Sequence, residues 1–221
     1  ILQGMDHLRK VYADNYKLCC PVTLPEGFDV DNCHAPFDEI SSCDALLRSD
    51  VYRVSLACFA VLALLGNMGS FILRVSQASS KSGNGVVVTN LSVSDFLMGV
   101  YLAVIGVADR LYKGSYLWED NSWRQSVACR VAGLVSLLSS EVSVFVVCLI
   151  TLDRFLALRF PFSNLHFGRK SAALACALTW FAGLVIVIVP LLPVTSHWEF
   201  YSNTGICIPL PITRSDFAGH D

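Results

Sequence analysis

Four apolar runs, each about as long as a bilayer is thick, constrain this chain more than any other feature. They cover residues 54–73, 86–107, 131–152 and 171–194, and short polar connections separate them. About 20 helical residues, at a rise of ~1.5 Å each, cross a hydrocarbon core of ~30 Å. Charged residues make up 15% of the chain, well below the share of about 25% in soluble domains. We therefore predict an all-α membrane protein with four transmembrane helices.

The residues between the runs predict which way round the chain lies. Lys and Arg gather in cytoplasmic connections, and the connections after the first and third runs contain Arg74, Lys81, Arg154, Arg159, Arg169 and Lys170. This bias places the N-terminus outside the cell. Six of the nine cysteines fall on the same predicted exterior side, where disulfides form, namely Cys19, Cys20, Cys33, Cys43, Cys129 and Cys207.

The remaining cysteines and the N-terminal ones have alternative interpretations. Cys58, Cys148 and Cys176 lie inside apolar runs, where we expect them to pack as small hydrophobic residues. A zinc site is the competing interpretation of the four N-terminal cysteines, but Cys19 and Cys20 are adjacent and lack the usual two-residue gap of a zinc-binding pair. If the four form disulfides, three connectivities are open.

Charge and chain ends give two further expectations. A net charge of −2 and a pI near 6.2 argue against a nucleic-acid partner. The first 50 residues are polar and contain no basic segment followed by a short apolar one, so no signal peptide is predicted. Because the sequence begins without Met and stops in a polar stretch, we expect it to be a piece of a longer protein.

Among the polar residues inside the apolar runs, three are candidates for a function, namely Asn67, Asp95 and Glu141. A charge at the bilayer centre costs about 3 kcal/mol, so such residues usually face other helices and have a function. Asn67 and Asp95, with nearby hydroxyls, are candidates for a cluster that binds a cation or a proton. The alternative is a structural hydrogen bond between helices, at about 0.6 kcal/mol each. Glu141 lies in the predicted outer half of its helix, where contact with ligand and a structural role are equally open.

The third run ends in Asp153, Arg154 and Phe155. The adjacent charges can pair with each other, or the guanidinium can donate to the backbone of a partner. Taken alone, the dipeptide favours a basic anchor at the membrane surface, because such dipeptides are common.

The order of single residues along the chain resembles the rhodopsin-like G-protein-coupled receptors. Gly66-Asn67 and LSVSD at 91–95 are followed by Cys129, by Arg154 25 residues later, and then by Pro161, Trp180, Pro190 and Cys207. SSEVSV at 139–144, LITLDRF at 149–155 and YSNTGICIPLP at 201–211 resemble the leucine-rich-repeat-containing receptors and their relaxin-receptor branch. The resemblance implies the first four helices of a seven-helix bundle and the start of the second extracellular loop.

The resemblance also implies roles for particular residues. Cys129 and Cys207 would form a disulfide, and Asp95 with Asn67 would be a sodium-linked switch. Asp153 would hold Arg154 until it is released to meet a G protein, and Phe155 replaces the commoner Tyr. Trp180, Pro161 and Pro190 would be structural.

The N-terminal third resembles the segment that precedes the helices in the same receptors. LRKVYADNY at 8–16 is similar to half a leucine-rich repeat, with Tyr16 at the position of the repeat's Asn. We therefore expect residues 1–18 to end a repeat array, residues 19–50 to form a cysteine-bearing extracellular hinge, and residues 51–221 to be the transmembrane domain. CCPVTL at 19–24 and SSCDALL at 41–47 carry the hinge resemblance.

The predicted function is a plasma-membrane receptor that passes a relaxin- or insulin-like peptide or protein hormone signal to a heterotrimeric G protein. One alternative is a four-helix scaffold of the tetraspanin or claudin type. Another is an intramembrane enzyme or transporter using Asp95 and Glu141, although no HExxH, nucleophile elbow or phosphate loop is present. Asn90-Leu-Ser92 is formally a glycosylation sequon, but at the cytoplasmic end of a helix we expect it to be unmodified.

Overall fold

A computed structural model describes residues 5, 8–35, 40–76, 82–160, 168–192, 201 and 204–208. Within these ranges the α-helices are α1 (Asp50–Ser76), α2 (Gly83–Leu111), α3 (Tyr116–Gln125), α4 (Val127–Arg159) and α5 (Arg169–Ile188). Two short strands, β1 (Val11–Tyr12) and β2 (Cys33–His34), pair in parallel. Single 3-10 turns cover Tyr16–Cys19, Val30–Asn32 and Val189–Leu191.

Helices α1, α2, α4 and α5 are each long and apolar enough to cross a membrane. The most apolar 18-residue window of each has a mean hydropathy between 1.9 and 2.5 and at most two charged residues. The predicted all-α membrane protein with four spans is therefore confirmed, and the chain is a multi-pass membrane protein.

The helix ends differ from the predicted ones for two physical reasons. Helix α4 runs from Val127 to Arg159, beyond the apolar run 131–152, because a helix continues through polar residues on either side of the hydrocarbon. Its first turn is capped by Ser126, whose hydroxyl accepts a hydrogen bond from Cys129 N at 3.1 Å. Helix α5 ends at Ile188 instead of continuing to 194, because Pro190 has no N–H to donate and the chain tightens into a 3-10 turn there.

Helix α3 lies in the connection between the second and third apolar runs, where no helix was predicted. Its composition is polar, yet one side is buried: Tyr116, Asp120 and Trp123 recur at the spacing of one helical face. The hydropathy pattern misses this helix because two of its three buried side chains, Tyr116 and Asp120, are polar. They can be buried because the Tyr116 hydroxyl donates a hydrogen bond to the Asp120 carboxylate.

Helix α2 is central and packs against α1, α4 and α5. The approach of α1 is close at Gly99, where an added Cβ would lie 3.0 Å from the side chains of Ala63 and Leu64. Small residues of this kind let membrane helices pack backbone to backbone. The core has one cluster among α2, α3, α4 and the hinge, and a second among α2, α4 and α5.

The outward faces of the spans are strongly apolar. Ala60 is the one buried residue of α1 among its described side chains, whereas Phe59, Leu62 and Leu65 are well exposed. Such faces suit lipid or further helices. The expectation that all three intrahelical cysteines pack inside was wrong for two of them: Cys58 and Cys148 are exposed and only Cys176 is buried, because the apolar run does not show which side faces outward.

Candidate functional site

Three disulfide bonds lie among the described residues, and all three belong to one end of the bundle, called here the disulfide end. They join Cys19 to Cys33, Cys20 to Cys43 and Cys129 to Cys207. The expected disulfide bonds are thus present, and one of the three possible hinge connectivities is selected. All four hinge sulfurs are consumed by these bonds, which removes the thiolates that a zinc site would need.

The Cys129–Cys207 disulfide holds the segment 204–208 against the first turn of α4. Both cysteines are fully buried, and Cys207 has a φ of 57°, in the left-handed region. Gly133, one turn further along α4, makes room for this segment. A Cβ at Gly133 would lie 2.5 Å from Cys207 O and 2.8 Å from Tyr201 Cδ1, too close for any side chain.

Two aromatic side chains fix the same segment from the other side. Tyr101 of α2 donates to Ile206 O at 2.8 Å, and Trp123 of α3 donates to Gly205 O at 2.7 Å. The carbonyls of neighbouring loop residues are therefore satisfied by two different helices. The sequence reading missed both donors, since in sequence they look like ordinary apolar residues.

Tyr201 forms a further contact between this region and α5. Its ring is buried, and its hydroxyl donates to Val187 O at 2.8 Å. Burial raises the pKa of Tyr201 to about 12, so the hydroxyl keeps its proton and this hydrogen bond even at pH values above the ordinary tyrosine pKa of about 10.

A buried carboxylate, Asp109, fixes the C-terminal part of the hinge to the bundle. It is 2% exposed and accepts hydrogen bonds of 2.8 Å from Leu47 N and from Arg53 Nε. Arg53 also donates to Leu47 O at 2.6 Å and to the exposed Asp50 at 2.5 Å. Asp109 was not among the predicted site residues. Its position directly after the apolar run of α2 was the available signal.

A second buried carboxylate, Asp120 on α3, contacts Lys17, just before the predicted hinge. It is 2% exposed and receives the ammonium of Lys17, the guanidinium of Arg124 at 2.6 Å and the hydroxyl of Tyr116 at 2.6 Å. Lys17 lies two residues before Cys19 in sequence, so this contact holds the start of the disulfide-bonded segment on α3.

Asp95 meets α4 in the middle of the bundle. Ser143 donates to Asp95 Oδ1 at 2.7 Å, and Ser94 and Ser143 share a hydrogen bond of 2.9 Å. The side-chain amide of Asn67 instead donates to Ala63 O of its own helix at 2.9 Å. Among the described residues no hydrogen bond joins Asn67 to Asp95, so the polar cluster is built on Ser94, Asp95 and Ser143.

Trp180 connects α5 to α2. Its indole donates to Asn90 Oδ1 at 3.0 Å, while Asn90 Nδ2 donates to Val86 O at 2.9 Å. The asparagine of the formal sequon is therefore engaged through both side-chain atoms between two helices.

The remaining predicted residues are dispersed. Glu141 is half-buried on α4, and within the described part of the chain it has no hydrogen bond or ion pair. In the last two turns of α4, Asp153 is half-buried while Arg154 and Phe155 are exposed. Pro190 lies in the turn after α5. Pro161 falls outside the described residues.

Comparison with known proteins identifies a family for this arrangement. The family model described as "7 transmembrane receptor (rhodopsin family)" matches residues 66–218. "G-protein coupled receptor GRL101" of Lymnaea stagnalis is 36% identical over 213 residues, which are 96% of this chain and 19% of that protein. Human "Relaxin receptor 2" is 30% identical over 94% of this chain and 26% of its own length. Human "Relaxin receptor 1" is 29% identical over 82% and 24%. The chain therefore spans about a fifth to a quarter of these relatives.

Proposed function

The chain belongs to the rhodopsin family of seven-transmembrane receptors, and on that premise we propose that it is part of a receptor that passes an extracellular hormone signal to a heterotrimeric G protein. The resemblance to rhodopsin-like and relaxin receptors is confirmed, which favours the receptor over a four-helix scaffold. One observation carries the proposal. A single helix, α4, has a buried disulfide in its first turn and an exposed arginine, Arg154, near its other end.

The disulfide end is proposed to be extracellular. Disulfides persist in oxidising compartments, and Cys129 is separated from Arg154 by 25 residues of one helix, or roughly 37 Å. This length exceeds the hydrocarbon core of ~30 Å, so Arg154 would reach the cytoplasmic face.

The ligand class is proposed from the relatives. Two of the proteins similar to this chain are named relaxin receptors, so a relaxin- or insulin-like peptide or a related protein hormone is the proposed ligand. Residues 1–18 are proposed to end a leucine-rich-repeat array. Strand β1 of this segment pairs in parallel with β2 of the following segment, and parallel strands are the arrangement expected of stacked repeats. Residues 19–50 would be the hinge and residues 51–221 the transmembrane domain. Glu141, half-buried on α4, is proposed to face the ligand side.

Arg154 is proposed to be the G-protein contact, with Asp153 holding it at rest and Phe155 beside it. Replacing Arg154 with Ala in the full receptor is expected to reduce nucleotide exchange on the G protein about ten- to hundredfold. Loss of one charged hydrogen bond costs ~1.5–3 kcal/mol. The measurement is GTP-analogue binding in membranes that contain equal amounts of each receptor.

Arg159→Ala is the matched control for this experiment. Arg159 is also exposed at the end of α4 and lies over the Phe160 ring at 5.3 Å. We expect this variant to keep exchange within about twofold, as is usual for exposed charges. Undiminished exchange with Arg154→Ala would reject the proposed contact.

A sodium ion is proposed to bind beside Asp95. Asp95 and the hydroxyls of Ser94 and Ser143 supply oxygen ligands from α2 and α4. An ion that binds only the folded state stabilises it. We therefore expect the melting temperature to be higher in sodium chloride than in choline chloride, and this difference to vanish in Asp95→Asn. If the melting temperature of Asp95→Asn rose equally in sodium chloride, sodium would not bind beside Asp95 and the proposal would be rejected.

A further inference from the structure

Helix α5 has an exposed apolar stripe that leads to a basic residue at its first turn. The stripe consists of Leu174, Leu178 and Phe181, which are 63%, 59% and 66% exposed. Their spacing of four and three residues places them on one face of the helix. Lys170 lies four residues before Leu174 and therefore at the end of the same face. The buried residues of α5 lie on its other side, namely Ala172, Cys176, Gly183 and Val187.

Two positive charges, Arg169 and Lys170, stand together at this end, called here the basic end. Both residues are exposed, and the first turn of α5 contains no acidic residue. Within the part of the chain that the structure describes, neither residue has an ion pair. The sequence contains no Asp or Glu between Asp153 and Glu199, so this stretch provides no acid of its own to neutralise them.

The backbone adds to the positive potential of the basic end. The N-cap residue of α5 is Gly168, which gives no side-chain cap. The Ser171 hydroxyl donates to Gly168 O at 2.9 Å, so this hydrogen bond does not cap a backbone N–H. Because the N-terminus is the positive end of the helix dipole, basic residues there are unfavourable unless an anion is near. Helices α1 and α3 instead have an acid in the first turn, Asp50 and Glu119.

We propose that the apolar stripe and the basic end of α5 together bind an anionic phospholipid. Its acyl chains lie along Leu174, Leu178 and Phe181, and its headgroup lies at Arg169 and Lys170. Such a lipid matches both parts, because its negative charge and its apolar chains are at opposite ends of one molecule.

The length of the stripe and the position of α5 support this occupant. Residues 170 to 181 extend over ~16 Å of helix, and one leaflet supplies about half of the ~30 Å hydrocarbon core. Binding of this kind requires only that α5 crosses a membrane, for which it is long and apolar enough. It depends neither on G-protein coupling nor on which side of the bilayer the basic end faces.

A fluorophore on the stripe tests the proposal. Leu174→Cys is labelled in the purified full receptor, the signal of the receptor without this cysteine is subtracted, and the receptor is placed in phosphatidylcholine nanodiscs. Quenching is then compared between spin-labelled phosphatidylserine and spin-labelled phosphatidylcholine at equal amounts. We expect phosphatidylserine to be enriched about fivefold beside residue 174, as cations near a membrane surface attract anionic lipid. Salt at ~1 M should reduce the enrichment to below twofold.

Substituting both cations separates the basic end from a general effect of charge. Arg169→Gln combined with Lys170→Gln is expected to lower the enrichment to below twofold. Arg110→Gln combined with Lys113→Gln is the matched control, since both residues are exposed and lie at the disulfide end. This control should keep the fivefold enrichment.

Three results would overturn the proposal. They are equal quenching by the two lipids in the unsubstituted receptor, enrichment that survives ~1 M salt, and equal loss of enrichment in the two double variants. A fourth is enrichment that persists in the variant of Arg169 and Lys170 while nucleotide exchange on the G protein falls, which would assign the two cations to the G protein. If that variant does not fold, the salt dependence of the unsubstituted receptor still decides the outcome.

Discussion

Cys207→Ser is expected to remove most of the folded protein from the cell surface. The Cys129–Cys207 disulfide closes a loop of 78 residues, and loss of a native disulfide typically costs about 2–5 kcal/mol. In this chain the bond also positions residues 204–208, whose carbonyls accept hydrogen bonds from Tyr101 and Trp123. Loss of the bond therefore releases contacts with α2 and α3 as well as with α4.

The measurement is surface labelling of intact cells, normalised to total protein, together with thermal unfolding of the purified chain. Cys58→Ser is the matched control because Cys58 is a free, exposed cysteine on α1. It should leave surface amount and melting temperature unchanged. Equal surface amounts for Cys207→Ser and wild type would show that the loop holds its position without the disulfide.

Asp109→Ala is expected to destabilise the folded chain by about 3–5 kcal/mol, since one partner of a buried ion pair is removed. The substitution leaves Arg53 and the amide of Leu47 without their shared acceptor. The side chain of Asp109 is 2% exposed, so water does not replace it.

Asp50→Ala provides an internal comparison for this prediction, because Asp50 pairs with the same arginine at 2.5 Å but is 89% exposed. An exposed pair contributes at most about 1 kcal/mol, so this variant should unfold close to wild type. The measurement is the free energy of unfolding or the melting temperature of both variants and the wild type in the same detergent. Equal destabilisation by the two substitutions would contradict the assigned importance of burial.

Hydropathy predicted the spans because the bilayer imposes one simple rule on every residue of a membrane helix. Hydropathy does not predict helices outside the lipid, where α3 forms from a polar segment with one buried face. Hydropathy also does not predict that Asp109 is buried. Its hydrogen-bond partners, Leu47 and Arg53, lie 62 and 56 residues away in sequence. Such pairings follow from packing of distant segments, and no local pattern encodes them.

The cluster of Ser94, Asp95 and Ser143 was predicted only in part from the sequence. The cost of a charge in lipid marked Asp95 as a residue that must face other helices, and the structure gives it a hydrogen bond from another helix. The partner is Ser143 rather than Asn67. Helical periodicity assigns a residue to a face of its helix, but the neighbour on that face depends on how helices rotate against one another.

The central claim is that α4 crosses the bilayer with its disulfide outside the cell and Arg154 inside. Cysteines introduced at Glu119 and Leu158, both exposed and at opposite ends of the bundle, report it through a membrane-impermeant maleimide, with the unsubstituted protein as background. The account predicts labelling at residue 119 in intact cells and labelling at residue 158 only after permeabilisation. Labelling of both positions in intact cells, or the reverse pattern, would contradict it.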